Sequence, residues 1–321
     1  MELTTPVSNP FVKGRFILDM DLEKIKKGLP LADIELLGKL KAGVNFEGRM
    51  SDIDGEQYDN IKAEGELHLS SFLIRTSDIP ESRIQYMDVD FSTTKVILSR
   101  FCGKMGESDI CMTGELEGFI PYIMDGQEIK GRLNLTSDYL NIDELMGEES
   151  DEEVAVTDTS ERSVIEIPNN IDFLMTCNMK SIDYDNLNLK NCNGVVKVKD
   201  GKLIFDGFKV NVLDGAVLLD GKYDSNIPDM DLYLEINKID LSATYETFVT
   251  IQKLAPVTKY TNGRISSKLR LVSVLNNNME PVLGSINSAG RFMSDEIGIL
   301  NMGIFETISD KLKMTALKNP V

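Results

Sequence analysis

The sequence predicts a mainly β fold: an elongated antiparallel meander of repeated strand units, curled into a groove or half-barrel, with a few short helices. Three observations carry this reading. Apolar and polar residues alternate along most of the chain, turn signals separate the alternating runs, and the pattern repeats at fixed offsets. Alternation marks a strand with one covered face, because successive side chains point to opposite sides of a sheet. It is cleanest in Met87-Asp88-Val89-Asp90-Phe91, from Met230 to Ile236 and from Ile265 to Leu271. Half-buried runs surround Val195 to Val198, Phe208 to Leu213 and Val217 to Leu219. Between such runs lie Asp200-Gly201, Asp214-Gly215 and Asp224-Ser225, and Asp-Gly readily supplies the positive φ angles of a type I′ hairpin turn.

Helical signals are short. Asp21 to Pro30 has an acidic start and a Gly and Pro stop, and Asp240 to Leu254 keeps helical spacing until Ala255-Pro256. Near the end, Ile304, Phe305, Ile308 and Leu312 share one helical face, predicting a C-terminal helix near 304–314. The repeats are of two kinds. One fixed offset brings Leu67 onto Leu174, Lys95-Val96-Ile97-Leu98 onto Lys202-Leu203-Ile204-Phe205, and Gly114 onto Gly221. A second, longer offset brings Gly38 onto Gly263 and Gly65 onto Gly290, each pair preceded by a helix-like segment opening with Met20-Asp21-Leu22 or Ile239-Asp240-Leu241. Ile142-Asp143 reads as a worn third copy of that triplet. The organisation is thus a first β unit over 1–146 with a short N-terminal helix, and a second over 164–321 with helix 240–254 and the C-terminal helix. Between them, 147–163 is an acidic flexible loop, since Gly147-Glu148-Glu149-Ser150-Asp151-Glu152-Glu153 lacks the apolar periodicity needed to fold.

Composition excludes more than it proposes. Acidic residues number 52 against 34 basic, a formal charge of −18, and no basic run forms a patch, so nucleic acid is not an expected partner. No apolar run reaches the roughly 20 residues of a membrane-spanning helix and no signal-peptide pattern opens the chain, which predicts a polypeptide soluble as it stands. A strand-like pattern follows closely on Met1 to Pro6, as expected of a piece whose anchor lies upstream. Cys102, Cys111, Cys177 and Cys192 fit neither a disulfide scaffold nor a zinc site with Cys-x-x-Cys spacing, leaving the redox compartment open. A hairpin closed by Ile182 and Leu187 would set Cys177 opposite Cys192; two small buried apolar residues are the plainer reading.

Catalytic motifs are missing as a class. His68 is the sole histidine, and alternation between Leu67 and Leu69 puts it on the polar side of a strand. There is no Gly-x-Ser-x-Gly elbow, phosphate loop or dinucleotide fingerprint, and no cofactor is expected. Asp52 to Asp59 holds carboxylates around Gly55 without matching a calcium loop, and a plain turn between strands explains it. Paired carboxylates for glycoside hydrolysis stay open in principle, against a sequence with no tryptophan to build sugar subsites. What remains is the apolar face of the strands, either an ordinary core or the lining of a groove.

The C-terminal third carries an ordered series of motifs: Leu254-Ala255-Pro256, Thr261-Asn262-Gly263-Arg264-Ile265, Asn278-Met279-Glu280-Pro281-Val282-Leu283-Gly284, and Ala289-Gly290-Arg291-Phe292. Upstream stand Ile167-Pro168-Asn169-Asn170, Ile182-Asp183-Tyr184-Asp185-Asn186, Gly194-Val195-Val196 and Gly215 to Tyr223. Together these resemble the AsmA family. The resemblance implies a non-enzymatic Gram-negative envelope protein, tethered to the inner membrane by an N-terminal helix, with a periplasmic repeating β-groove related to TamB-like proteins. It also implies roles in outer-membrane biogenesis and phospholipid transport, hence an acyl-chain ligand and envelope protein partners. Candidate groove-lining residues are Val210, Val212, Val217, Leu219, Leu232, Leu234, Ile236, Ile265, Leu269 and Leu271. The competing expectation is a structural or interaction module with a closed core and no lipid.

Overall fold

A computed structural model describes residues 2–4, 9–25, 34–55, 57–76, 80–146, 166–277 and 279–299. The expected acidic loop and C-terminal helix lie outside them. The first strands are β1 (Glu2–Thr4), β2 (Phe11–Asp21), β3 (Glu35–Arg49), β4 (Lys62–Arg75), β5 (Ser82–Ser92), β6 (Lys95–Met105), β7 (Ser108–Glu117) and β8 (Ile129–Asn141). There follow β9 (Ile171–Tyr184), β10 (Leu187–Lys199), β11 (Lys202–Val212), β12 (Gly215–Asp224), β13 (Asp229–Asp240), β14 (Thr261–Val274) and β15 (Asn287–Ile299). All fifteen form one open sheet whose spatial order is their chain order. The predicted mainly β meander is therefore the fold, and short helices decorate its two rims.

Every neighbouring pair is antiparallel except β8 and β9, which run parallel over Ile129–Asn141 and Ile171–Asp183. A parallel pair needs a crossover that carries the chain back along the sheet. Alternation within a strand says nothing of its neighbour's direction, so this junction was not legible in the sequence. Helix α4 (Ile142–Met146) opens the crossover.

The duplication holds at the level of strand boundaries. The offset that carries Lys95 onto Lys202 carries the bounds of β6 and β7 onto those of β11 and β12. The offset that carries Gly38 onto Gly263 makes β4 begin where β15 begins. Gly38 and Gly263 sit at bulges with φ +127° and +118°, and Gly114 and Gly221 have φ +156° and +133°. Bulges bend and twist a strand, so the same kinks recur in both copies. Helices α1 (Leu22–Ile25) and α5 (Leu241–Thr247) also correspond, each burying its first leucine, with Leu22 and Leu241 both buried. The Asp240 carboxylate caps α5 by accepting from Ala243 N at 2.8 Å. The Asn141 side chain likewise accepts from Glu144 N at 3.0 Å, so the third copy aligns on Leu140-Asn141-Ile142, with its cap two residues earlier than the expected Asp143.

Other local expectations need correction. The helix expected over 240–254 breaks at Phe248, whose extended backbone separates α5 from α6 (Val249–Leu254). The hairpin between β9 and β10 turns on Asp185-Asn186 alone (φ +46° and +64°), tighter than a loop closed by Ile182 and Leu187. Cys177 consequently faces Gly194, and Cys192 faces Met179. The β11–β12 turn is Leu213-Asp214, with Gly215 already in the strand. The Asp52 stretch runs through the short helix α2 (Met50–Asp54) and a 3-10 turn at Tyr58–Asn60, in place of a plain turn between strands.

Candidate apolar groove

In an antiparallel pair, residues directly opposite each other project to the same face. Following partners from strand to strand, one unbroken row runs Phe16, Val44, Gly65, Phe91, Val96, Leu116, Gly131 and Phe173, then Val198, Leu203, Tyr223 and Met230. Every member is apolar, aromatic or glycine, from β2 through to β13. The glycines make room for large neighbours: a Cβ at Gly65 would lie 2.7 Å from the Phe91 ring, and one at Gly131 would lie 3.1 Å from the Phe173 ring.

The ten predicted lining residues stand on this face in parallel rows. Val210, Val217 and Ile236 are successive partners, as are Leu219, Leu234 and Leu269, and as are Leu232 and Leu271. Val212 pairs with Gly215 beside the Val210 row, and Ile265 pairs with Ile239 beyond a bulge in β13. All ten are half-buried, neither exposed nor closed over. Sequence reasoning stopped at β11 and missed the continuation through β2 to β10. The glycines within strands were the available signal, since an interior strand glycine marks a bulge or a close approach.

Coverage of the face varies along the sheet. Near β2 it is open, with Phe16 53% and Leu18 37% exposed. At β8 to β10 it is filled by its own side chains: Leu140, Cys177, Met179, Ile182, Cys192 and Val196 are buried together, and Ile142 and Leu145 of α4 pack on them. Burial pushes the Cys192 thiol up to about 11 and raises that of Cys177 as well, so both stay protonated and act as small apolar groups. One rim carries α3 (Phe119–Asp125), whose Asp125 carboxylate accepts from the hydroxyl of Tyr58 across the ends of β5 and β6. On the same rim, Leu275 is buried with Tyr223 and Met230, with Ile167 and Met279 packed against them.

The opposite face is laced with ion pairs between neighbouring strands, including Lys41–Asp19 at 3.2 Å, Lys95–Glu115 at 2.5 Å, Lys268–Glu235 at 2.7 Å and Arg270–Asp231 at 2.6 Å. His68 lies there as expected. Its Nδ1 is 2.7 Å from Asp88, whose carboxylate also pairs with Arg100. The hydrogen bond to Asp88 raises the imidazole pKa, while Arg100 and then His68 lower that of Asp88. Cys102 and Cys111 are direct partners on this side and form a disulfide. The Gly106-Glu107 turn sets that register and was the signal overlooked in the sequence.

Among the described residues no group of three or more His, Cys, Asp or Glu side chains is placed to hold a metal ion, and no helix is long and apolar enough to cross a membrane. Comparison with protein-family models, with curated proteins and with solved structures finds no match to this chain.

Proposed function

We propose that this chain is the lipid-handling segment of an AsmA-like envelope protein, and that it shelters acyl chains on its apolar face without catalysing a reaction. The observation that carries this reading is the continuous row from Phe16 to Met230, flanked by the half-buried rows of Val217, Leu234 and Leu269. A hydrocarbon chain laid along such rows leaves water at a gain of about 0.8 kcal/mol per CH₂, while its headgroup stays wet at a rim. The Cys102–Cys111 disulfide suits an oxidising compartment and so supports a periplasmic location. Tethering to the inner membrane belongs to the same proposal.

The second reading, a structural module with a closed core, has one observation in its favour. The face is filled at β8 to β10, where Cys192 is 0% exposed. Lipid would then occupy the flanks and not the waist. The test is native mass spectrometry on protein purified without harsh detergent. Phospholipid at a reproducible ratio, lost in Leu234→Asp or Leu269→Asp variants that keep the wild-type circular dichroism, is the expected result. Protein that emerges lipid-free and refuses added phospholipid would leave the closed-core reading standing.

A further inference from the structure

The internal duplication provides a reference for what the fold requires at each rim. In the first copy, positions 22–34 connect β2 to β3; in the second, the longer span 241–260 connects β13 to β14. The strands joined are equivalent, and so is the helix that opens each connection, so the added length is not needed to close the sheet. Beyond α5 the second connection carries α6 and the 3-10 turn Pro256–Tyr260, which pack on α5 and on each other.

This excursion combines exposed apolar side chains with a net positive charge. Phe248, Val249, Leu254, Val257 and Tyr260 are 37%, 46%, 54%, 48% and 40% exposed, a dense run of large apolar or aromatic side chains left in water. Over Phe248 to Tyr260 there is no acidic residue, while Lys253 and Lys259 are both exposed. A net-basic segment thus stands on a chain of charge −18. Lys259 Nζ lies 5.9 Å from the Tyr260 ring, so cation and aromatic share one patch. At physiological salt the screening length is about 8 Å, so an approaching surface feels these two lysines, offset in part by exposed Glu246 at the end of α5, more than the acids elsewhere on the chain. Exposed aliphatic and aromatic groups flanked by lysines are the chemistry of a segment lying in a membrane interface: apolar groups enter the acyl boundary and lysines meet anionic headgroups.

We propose that the α6 excursion, Phe248 to Tyr260, is a membrane-docking element that seats this rim of the sheet on a bilayer containing anionic lipid. It stands on its own observations and does not require that lipid enter the groove. Buried Ile239 and Leu241 hold the base of the excursion to the sheet, so docking would present the β13–β14 end of the apolar face to the bilayer.

The experiment is flotation of the full chain with vesicles of phosphatidylcholine, with and without phosphatidylglycerol. Recruitment is expected only with phosphatidylglycerol. A lysine near an anionic surface contributes about a fivefold gain in binding, so Lys253→Gln with Lys259→Gln together should weaken it about 30-fold. Leu254→Asp should weaken it at least about tenfold, and because Leu254 is exposed the variant is expected to fold. An environment-sensitive dye on Leu254→Cys should shift to the blue when anionic vesicles are added. Failure of the wild-type chain to float on either vesicle overturns the proposal. So does a dye already in an apolar environment before vesicles are added, which would mean that protein covers the patch. Binding that survives both sets of substitutions would overturn it too, by placing the membrane contact elsewhere. Groove occupancy by mass spectrometry is scored separately, so either result can fail without the other.

Discussion

Replacing Gly65 by alanine should destabilise the protein strongly, whereas the same change at Gly43, on the facing strand, should not. At Gly65 an added Cβ would fall inside the contact distance of the Gly43 carbonyl oxygen and 2.7 Å from the Phe91 ring, with backbone on one side and a large side chain on the other. Something must move, and overpacking of this kind costs about 1–3 kcal/mol. Gly43 differs: its Cβ would meet only the flexible Glu66 side chain, at 3.7 Å. There alanine removes backbone freedom from the unfolded chain, a stabilisation of about 0.4–1 kcal/mol. Gly290 is the repeat counterpart of Gly65, and its Cβ would lie 2.5 Å from the Lys268 carbonyl oxygen. It stands on the last described strand, whose outer side pairs with no other described strand, so relaxation should reduce the cost to about 1 kcal/mol. Thermal melts followed by circular dichroism measure the series. At about 2–4 °C per kcal/mol, Gly65→Ala should lower Tm by roughly 2–12 °C, Gly290→Ala by less, and Gly43→Ala should leave it unchanged or slightly raised. Equal effects at Gly43 and Gly65 would refute the strand register and the packing of Phe91 over glycine.

Two further outcomes test the polar face. Reducing the Cys102–Cys111 disulfide, or replacing both cysteines by serine, should cost about 2–3 kcal/mol by freeing a short loop in the unfolded chain. Melts with and without reductant should differ for the native protein and coincide for the double variant, and a native melt insensitive to reductant would count against the bridge. His68 has its pKa raised, chiefly by the hydrogen bond to Asp88, so its contribution is complete below the unfolded imidazole value near 6.5 and fades as pH climbs through the higher folded value. The side chain is half exposed, which keeps the effect small. The Tm advantage of native protein over His68→Gln should therefore shrink between about pH 6 and about pH 8; an advantage that grows over that range would contradict the assignment.

How much of this was legible depended on how local each feature is. Which side of each strand is apolar was readable from Met87 to Phe91 or from Met230 to Ile236, because alternation is a property of one strand. The position of the β10–β11 turn was equally local, and Asp200-Gly201 forms it with φ +51° and +72°. The pairing of Cys177 was not, since it hinged on whether Asp183 and Tyr184 belong to a loop or a strand, and either assignment satisfies the pattern. Breaking of the helix at Phe248 was hidden for a similar reason: helical spacing continues across it, and only the backbone reveals the interruption.

Whether the apolar face is covered lies beyond any periodicity, and topology decides it. When strands lie in the sheet in the order of the chain, each connection joins neighbours at a rim and none has to cross a face. A connection that does cross can supply a second layer, and among the described strands the one such place is the parallel step from β8 to β9. That is where the face is filled, with α4 at the start of the crossover laying Ile142 and Leu145 on the buried cluster around Cys177 and Cys192. Away from it the rows through Val217, Leu234 and Leu269 stay half-buried. Among the described residues the open flanks and the packed waist thus have one cause: the meander leaves its apolar face uncovered except at the crossover between β8 and β9.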